Sequence, residues 1–323
     1  MSVLPVNDTS LWKPARILNR RIELAVKLVF GLFALVSVAT TIGIIATLIF
    51  ETFEFFQEVS IVNFLTDDKW TPLFSSGKFG IFVLVSATVM LSGIAIAVAL
   101  PLGLLSAICL SEYASPKVRS ILKPLLEILA GIPSVVFGYF ALLLVTPSLQ
   151  SLLEWLLMVF PFLQSYVPKL EGFNALSAGM VLGIAITPLV ASLSEDAISA
   201  VPQSLRDGAY ALGATKRETI ISVVLPAALS GIVSSVILAV SRAIGETMIV
   251  TLAAGQNPRL GLNPFVPVMA MTAFIVQASL GDTPAGSLAY RTIYAVGMSL
   301  FVLTLILNIF SFWFVRRFRE KYD

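Results

Sequence analysis

The chain has 323 residues, 57% of them hydrophobic and only 12% charged, with a formal net charge of +2. Soluble domains carry about 25% charged residues, so this composition excludes a soluble enzyme and describes an all-α polytopic membrane protein. With no histidine and a single cysteine, Cys109, the usual near-neutral switch, the commonest transition-metal ligand and an internal disulfide are all missing.

Residues 1–23 form a polar head with Lys13, Arg16, Arg20 and Arg21. A disordered tail and a short interfacial helix over 15–23 are both open readings. Residues 24–50 are a first spanning helix, too long for the core of a signal peptide. A polar excursion, 51–78, carries Glu51, Glu54, Glu58, Asp67 and Asp68 against Lys69 and Lys78. The apolar run 79–110 exceeds the roughly 20 residues a bilayer needs, which predicts tilt or a kink at Pro101. A basic loop, 111–124, follows with Lys117, Arg119 and Lys123. The third span is read as 125–148, holding Gly131-Ile132-Pro133-Ser134, with 149–173 as a mixed excursion. The fourth, 174–196, contains Pro188 and ends on Glu195-Asp196, read as interfacial charges. The fifth, 227–255, holds Arg242 and Glu246, and the sixth is 288–315 before the tail 316–323. Within the excursion 256–287, residues 264–280 are apolar but short, and read as a re-entrant or external-face helix packed on the bundle. The core of five further spans thus covers 79–315.

Lysine and arginine gather in the head, in 111–124, in 199–226 and in the tail. Positive charge marks the cytoplasmic side, so both termini and the 199–226 loop are expected there.

The loop 199–226 is the element around which the chain is organised. Pro202 suits a first helical turn, and Ser204 with Asp207 has the spacing of a capping pair. Gly213 breaks that helix, and Thr215 with Glu218 has the spacing of a second capping box. Two short helices around a glycine turn, at one face of a hydrophobic protein, suit presentation to a partner. The stretch Asp207-Gly208-Ala209, Gly213 and Val223-Val224-Leu225-Pro226 resembles the EAA loop of ABC-importer permeases, whose consensus is E-A-A, a glycine four residues on, and a distal I-x-L-P. The resemblance implies docking on an ATPase subunit through Leu205, Arg206, Asp207, Gly208, Ala209, Gly213 and Lys216. The segment Gly208–Thr215 nearly matches a phosphate-binding loop, but Ala214 stands where the lysine is required. ATP and Mg are therefore expected on the partner, with no cofactor in this chain.

Arg242 and Glu246 lie inside an apolar run, where a central charge costs about 2.5–3.5 kcal/mol. At i and i+4 they share a helix face. That face continues through Gly231, Ser235, Leu238 and Ile249. The pair reads either as a self-neutralising structural pair or as the lining of a path, with arginine offered to an oxyanion.

Ser241-Arg242-Ala243-Ile244-Gly245-Glu246-Thr247-Met248 resembles the RA-x-GET signature of Pst-type phosphate permeases. Gly131–Gly138, GIPSVVFG, resembles their IPS-V-V-G segment. Trp70-Thr71-Pro72 and Met248 resemble the C-type more than the A-type subunit. The resemblance implies a type I ABC-importer permease fold of six transmembrane helices with a cytoplasmic coupling helix, in a bacterial inner membrane. It implies a homologous permease, two ATPase copies and an external phosphate-binding protein as partners beside the lipid, with no nucleic acid. Arg242, Glu246, Ser235 and Thr247 then become the candidate substrate path. Permeation of another tetrahedral oxyanion, sulfate or molybdate, is the alternative. A proton-coupled secondary transporter gives the cytoplasmic two-helix element no purpose, and an intramembrane enzyme lacks a nucleophile–base set.

Overall fold

The computed structural model describes residues 16–318 apart from 73, 75, 76, 166, 167 and 282. The expected basic head, as far as it includes Lys13, and the end of the tail lie outside those residues. Helix α1, Arg16–Glu58, runs unbroken from within the head through the first apolar run. Its part up to Glu51 forms one structural unit, and residues 52–318 form a second.

The second unit opens with the last turns of α1 and the short helix α2, Ile61–Thr66, whose N-cap Ser60 accepts a hydrogen bond from Val62 N. A single antiparallel bridge joins Trp70 to Phe79. Helix α3, Ile81–Ile108, continues across Pro101 and ends in a π-turn, Cys109–Tyr113. Helix α4, Pro116–Ala130, is capped by Ser115 and starts on proline, whose missing N–H costs nothing in a first turn. Helix α5, Ser134–Phe140, a π-turn Ala141–Val145 and α6, Thr146–Val159, form one continuous rod. Helix α7, Ala175–Ser199, is capped by Asn174, which accepts from Ser177 N at 2.7 Å.

After α7 come α8, Gln203–Ala211, and α9, Lys216–Thr219. Gly213 joins them at φ +85°, a left-handed conformation in which any Cβ is strained. Thr215 and Glu218 close the expected reciprocal capping box. The expected Ser204–Asp207 pair does not form. Pro202 is itself the N-cap residue, and Asp207 instead accepts from Gln203 Nε2 at 3.1 Å. A π-turn, Ile220–Val224, then leads into α10, Leu225–Ile244. Beyond it lie α11, Met248–Ala253, α12, Met271–Leu280, and α13, Leu288–Phe318.

Among the described residues, six helical stretches are long and apolar enough to cross a bilayer: Ile22–Glu58, Ile81–Tyr113, Ser134–Val159, Ala175–Ser199, Lys216–Ile244 and Leu288–Trp313. The number agrees with the sequence reading, and two spans are corrected. The fifth is 216–244 rather than 227–255, because α9, the π-turn Ile220–Val224 and α10 run on as one helix that Gly245 ends. The third span is 134–159 rather than 125–148, because Gly131 caps α4 and Pro133 precedes α5 as its N-cap. Proline disfavours helix in the residue before it, so 116–130 becomes a separate amphipathic helix. Pro133 is therefore not a breaker within a span, whereas Pro188 does lie inside α7.

Helices α3, α7 and α10 make the core. Gly183 of α7 sits so close to α3 that a Cβ there would lie 2.6 Å from Ala95 O. Gly231 of α10 likewise has no room for a Cβ against Ala197 of α7. Small residues let helix backbones approach where lipid gives no hydrophobic drive to associate. Helix α12 is too short to span. It buries Met271, Thr272, Phe274 and Ala278, and Met271 N donates to Thr88 Oγ1 of α3 at 3.0 Å. A short helix packed on the bundle within 264–280 is as expected. Near it, Trp70 stands edge-on to Phe64, Phe79 and Phe274.

Candidate functional site

Arg242 lies in the last turn of α10, and Gly245 ends that helix, so Glu246 falls outside it. The expected shared helix face is therefore broken, and no ion pair joins the two residues among the described residues. The Glu246 carboxylate instead accepts from Met248 N at 3.2 Å and Ile249 N at 3.4 Å, the free amides opening α11. Its backbone oxygen accepts from Thr272 Oγ1 of α12 at 2.7 Å. Each charge thus sits at the helix end whose dipole suits it, the cation at a C-terminus and the carboxylate at an N-terminus.

Ser235, the third expected path residue, is only 1% exposed. Its hydroxyl lies 2.8 Å from Ser194 Oγ in the contact between α7 and α10. It is removed from the path reading. The open stripe on α10 runs through Ser234, Leu238 and Arg242, each exposed. Ser234 was missed by sequence, although its spacing of two i+4 steps from Arg242 carried the signal. Thr247 is half-buried, and its hydroxyl donates to Gly245 O at 3.3 Å.

The Ser194–Ser235 contact also gives the depth of Arg242. Helix α10 runs antiparallel to α7, and Arg242 lies about two turns, roughly 10 Å, beyond Ser235. That places it level with the middle of α7. Its guanidinium has no hydrogen bond or ion pair among the described residues, and it is exposed. The two quoted signature segments meet at this level. A Cβ on Gly138 would lie 2.8 Å from Leu252 Cδ1 and 3.2 Å from Met248 O, so α5 packs directly on α11.

The α8–α9 element is held from beneath. Arg206 is 8% exposed. Its Nη2 donates to Glu112 Oε1 at 2.8 Å and to Ile198 O at 2.9 Å, its Nε to Glu112 Oε1 at 3.2 Å, and its Nη1 to Val201 O. It therefore faces its own subunit and is corrected from a docking residue to an anchor. Lys216 Nζ lies 4.7 Å from the centroid of the Tyr113 ring. Asp207, Gly208 and Gly213 are exposed, and Leu205 and Ala209 are half-buried. Leu212, not named from sequence, is 90% exposed beside exposed Tyr210. A lone leucine ahead of the turn glycine was the available signal.

Glu195 is fully buried, contrary to the interfacial reading. It takes ion pairs from Arg119 and from Lys123, the latter at 2.7 Å, and accepts from Ser199 Oγ at 2.9 Å. Asp196 also pairs with Lys123. Hydrogen bonds to Asp196 and then Glu195 hold the Lys123 pKa above its ordinary 10.5. These contacts bind α4 to the end of α7.

On the opposite face, Arg291 pairs with Glu54 and with Glu58, the latter at 2.6 Å. Two of the acidic residues in 51–78 are thereby neutralised by a cation that lies inside the expected sixth span, 288–315. The Trp70-Thr71-Pro72 segment lines a cavity of about 450 Å³ with Phe274, Gln256 and Gln277.

Residues 99–320 match the family described as binding-protein-dependent transport system inner membrane component. The chain belongs to this family. Among its relatives, the phosphate transport system permease protein PstC of Mesorhizobium japonicum is 35% identical over 79% of this chain and 78% of its own. PstC of Pasteurella multocida is 30% identical over 95% of each. A probable ABC transporter permease, YqgH of Bacillus subtilis, is 31% identical over 89% of each. The fold is that of ABC-importer permeases. A chain of the bacterial alginate ABC transporter, in a crystal structure with an alginate pentasaccharide-bound periplasmic protein, superposes with a TM-score of 0.61 at 16% identity, over 93% of this chain and 98% of that one. With six apolar spans, this member of the family is a multi-pass inner-membrane permease subunit.

Proposed function

We propose that the chain is the C-type permease subunit of an ATP-driven importer of inorganic phosphate. The observation that carries this reading is Arg242: a guanidinium with no ion pair among the described residues, level with the middle of the spanning helix α7 and on the open stripe of α10. A cation there must meet either a partner's acid or a passing anion. Its planar fork of donors suits a tetrahedral oxyanion better than an ammonium would. The PstC names of the relatives favour phosphate over sulfate or molybdate.

In this reading a homologous permease covers the stripe from the other side, so that Arg242 lines a path between two subunits. Glu246 and Thr247 shape the wall at the α10–α11 break, with Glu246 holding the break by its hydrogen bonds. The α8–α9 element faces the cytoplasm, with both termini on that side. It docks on one of two ATPase copies through Asp207, Gly208, Ala209, Leu212 and the Gly213 turn, with Leu205 and Lys216 beneath. ATP and Mg stay on the ATPase. An external phosphate-binding protein is received on the α12 face, where Arg291 with its two glutamates and the Trp70 cavity lie.

The test is uptake by the complete complex in proteoliposomes, with binding protein added. ATP-dependent accumulation of labelled phosphate, unaffected by equal sulfate or molybdate, is expected. Preferential accumulation of either competitor would overturn the phosphate reading, and accumulation without ATP would overturn the importer itself.

A further inference from the structure

Both short helices of the α8–α9 element are tied to one five-residue segment. Arg206 of α8 places two donors on Glu112, and Lys216 of α9 lies over the ring of Tyr113. Both acceptors belong to the π-turn Cys109–Tyr113 that ends α3. The Arg206–Glu112 pair is almost entirely buried. A pair lost from such a site leaves an uncompensated charge, so the two side chains move together rather than separate. A π-turn is a helical register with one residue too many, and such turns concentrate where helices do functional work.

Above this turn the helices approach closely at several points. Helix α3 lies against α7 at Gly183, where a Cβ would meet Ala95 O at 2.6 Å, and at Gly103, where it would meet Val190 at 2.7 Å. Helix α7 lies against α10 at Gly231 and at the Ser194–Ser235 contact. Close-packed helices shift as bodies rather than deform. A displacement delivered to the foot of α3 is therefore carried by α3, α7 and α10 together, and Arg242 is the far end of α10.

We propose that Glu112 and Tyr113 are the receiving residues of the coupling stroke. In this proposal the ATPase moves α8–α9, and the ties to the π-turn pass that movement to α3 and α7, so that they shift together with α10, which α9 joins directly through the π-turn Ile220–Val224. They are positioning residues, since neither touches substrate nor ATP. The proposal rests on the ABC-importer reading above. It goes beyond the docking role of the loop by naming where the force leaves it.

The test uses the complete complex with binding protein, in proteoliposomes. Cys109, the chain's single cysteine, is exposed and lies in the π-turn itself, so it reports on that turn. Its alkylation rate by a permeant maleimide, read on the separated subunit band, is compared without nucleotide and with ATP plus vanadate. The expected result is a rate that depends on nucleotide in the unaltered protein. In Glu112→Gln the ATPase stays bound and active, phosphate moved per ATP falls roughly tenfold, a typical size for coupling between sites, and the nucleotide dependence of Cys109 is lost. Tyr113→Leu, at an exposed position that puts folding at no risk, loses part of both and serves if Glu112→Gln does not assemble. Glu112→Asp, which keeps the charge, recovers part of the ratio. Unchanged phosphate per ATP in an assembled Glu112→Gln or Tyr113→Leu complex would overturn the proposal. So would a Cys109 rate that ignores nucleotide in the unaltered protein. If the unaltered complex itself fails to move phosphate with ATP, the importer reading fails instead.

Discussion

The guanidinium of Arg206 lies 2.8 Å from the carboxylate of Glu112, with both side chains buried between the α8–α9 element and the foot of α3. Each residue neutralises the other in a place where neither charge is stable alone. Removing one partner from a buried pair costs about 3–5 kcal/mol. Arg206→Ala should therefore lower the melting temperature of the purified complex and the yield of assembled subunit. Arg206→Ala with Glu112→Ala should recover much of the loss, because no charge is then stranded. A single variant that melts with the unaltered protein would remove Arg206 from its role as anchor.

Arg242 and Glu246 should differ in their sensitivity. Hydrogen bonds to charged groups contribute about 1.5–3 kcal/mol, which corresponds to roughly ten- to hundredfold in rate. Arg242→Gln should lower phosphate uptake by that amount at unchanged assembly. Glu246→Gln keeps a side-chain oxygen that can accept from Met248 N and Ile249 N, so uptake should fall only a few-fold. Uptake measured per assembled complex decides between them. Equal, severe loss in both, restored in the double variant, would mean that the two act as a self-neutralising pair after all.

Two glycines of the coupling element should part company. Gly213 has φ +85°, and an alanine forced into that region costs about 1–2 kcal/mol. Gly208 is helical with no atom within 4 Å of a built Cβ, so alanine there gains helix propensity of about 1 kcal/mol. Gly213→Ala should reduce uptake and Gly208→Ala should preserve it, with assembly normal in each. Full uptake in Gly213→Ala would show that docking tolerates a remodelled turn.

Lys123 gives a pH signature. Its pKa is raised in the folded state by its hydrogen bonds to Asp196 and Glu195. A raised pKa means stability that is fully present below the unfolded value, 10.5, and lost as pH climbs through the folded one. The melting-temperature gap between the unaltered protein and Lys123→Met should stay constant from about pH 7 to 10 and narrow only above that. Narrowing between pH 7 and 9 would contradict the assigned partners.

Orientation has a direct test. A reporter fused after Asp323 should be cytoplasmic, and one inserted beside Asp67 should be external, as the distribution of basic residues requires. The reverse result at either position would invert the faces assigned to α8–α9 and to α12.

The sequence by itself determined the class, the number of spans and the two short helices around Gly213. Long apolar runs, the Thr215–Glu218 capping box and the Gly213 turn are local features. They follow from bilayer thickness, free backbone amides and the steric cost of a left-handed residue. The family signatures were likewise legible, because they are written in consecutive residues. What tertiary structure decided is where each polar side chain is satisfied. Spacing put Glu246 on Arg242's face, but the helix ends at Gly245, and the carboxylate turns to the amides of α11. The family resemblance put Arg206 with the docking residues, and its place at the end of an apolar run put Glu195 at the interface. Both are buried against partners distant in the chain, Glu112 for one, Arg119 and Lys123 for the other. Ser234 and Ser235 are indistinguishable as letters, and only the packing of α10 on α7 turns one to the open stripe and the other to Ser194. A charge or hydroxyl in a low-dielectric bundle takes whichever partner the fold brings within reach, and that partner is set by three-dimensional packing, which a single sequence does not display.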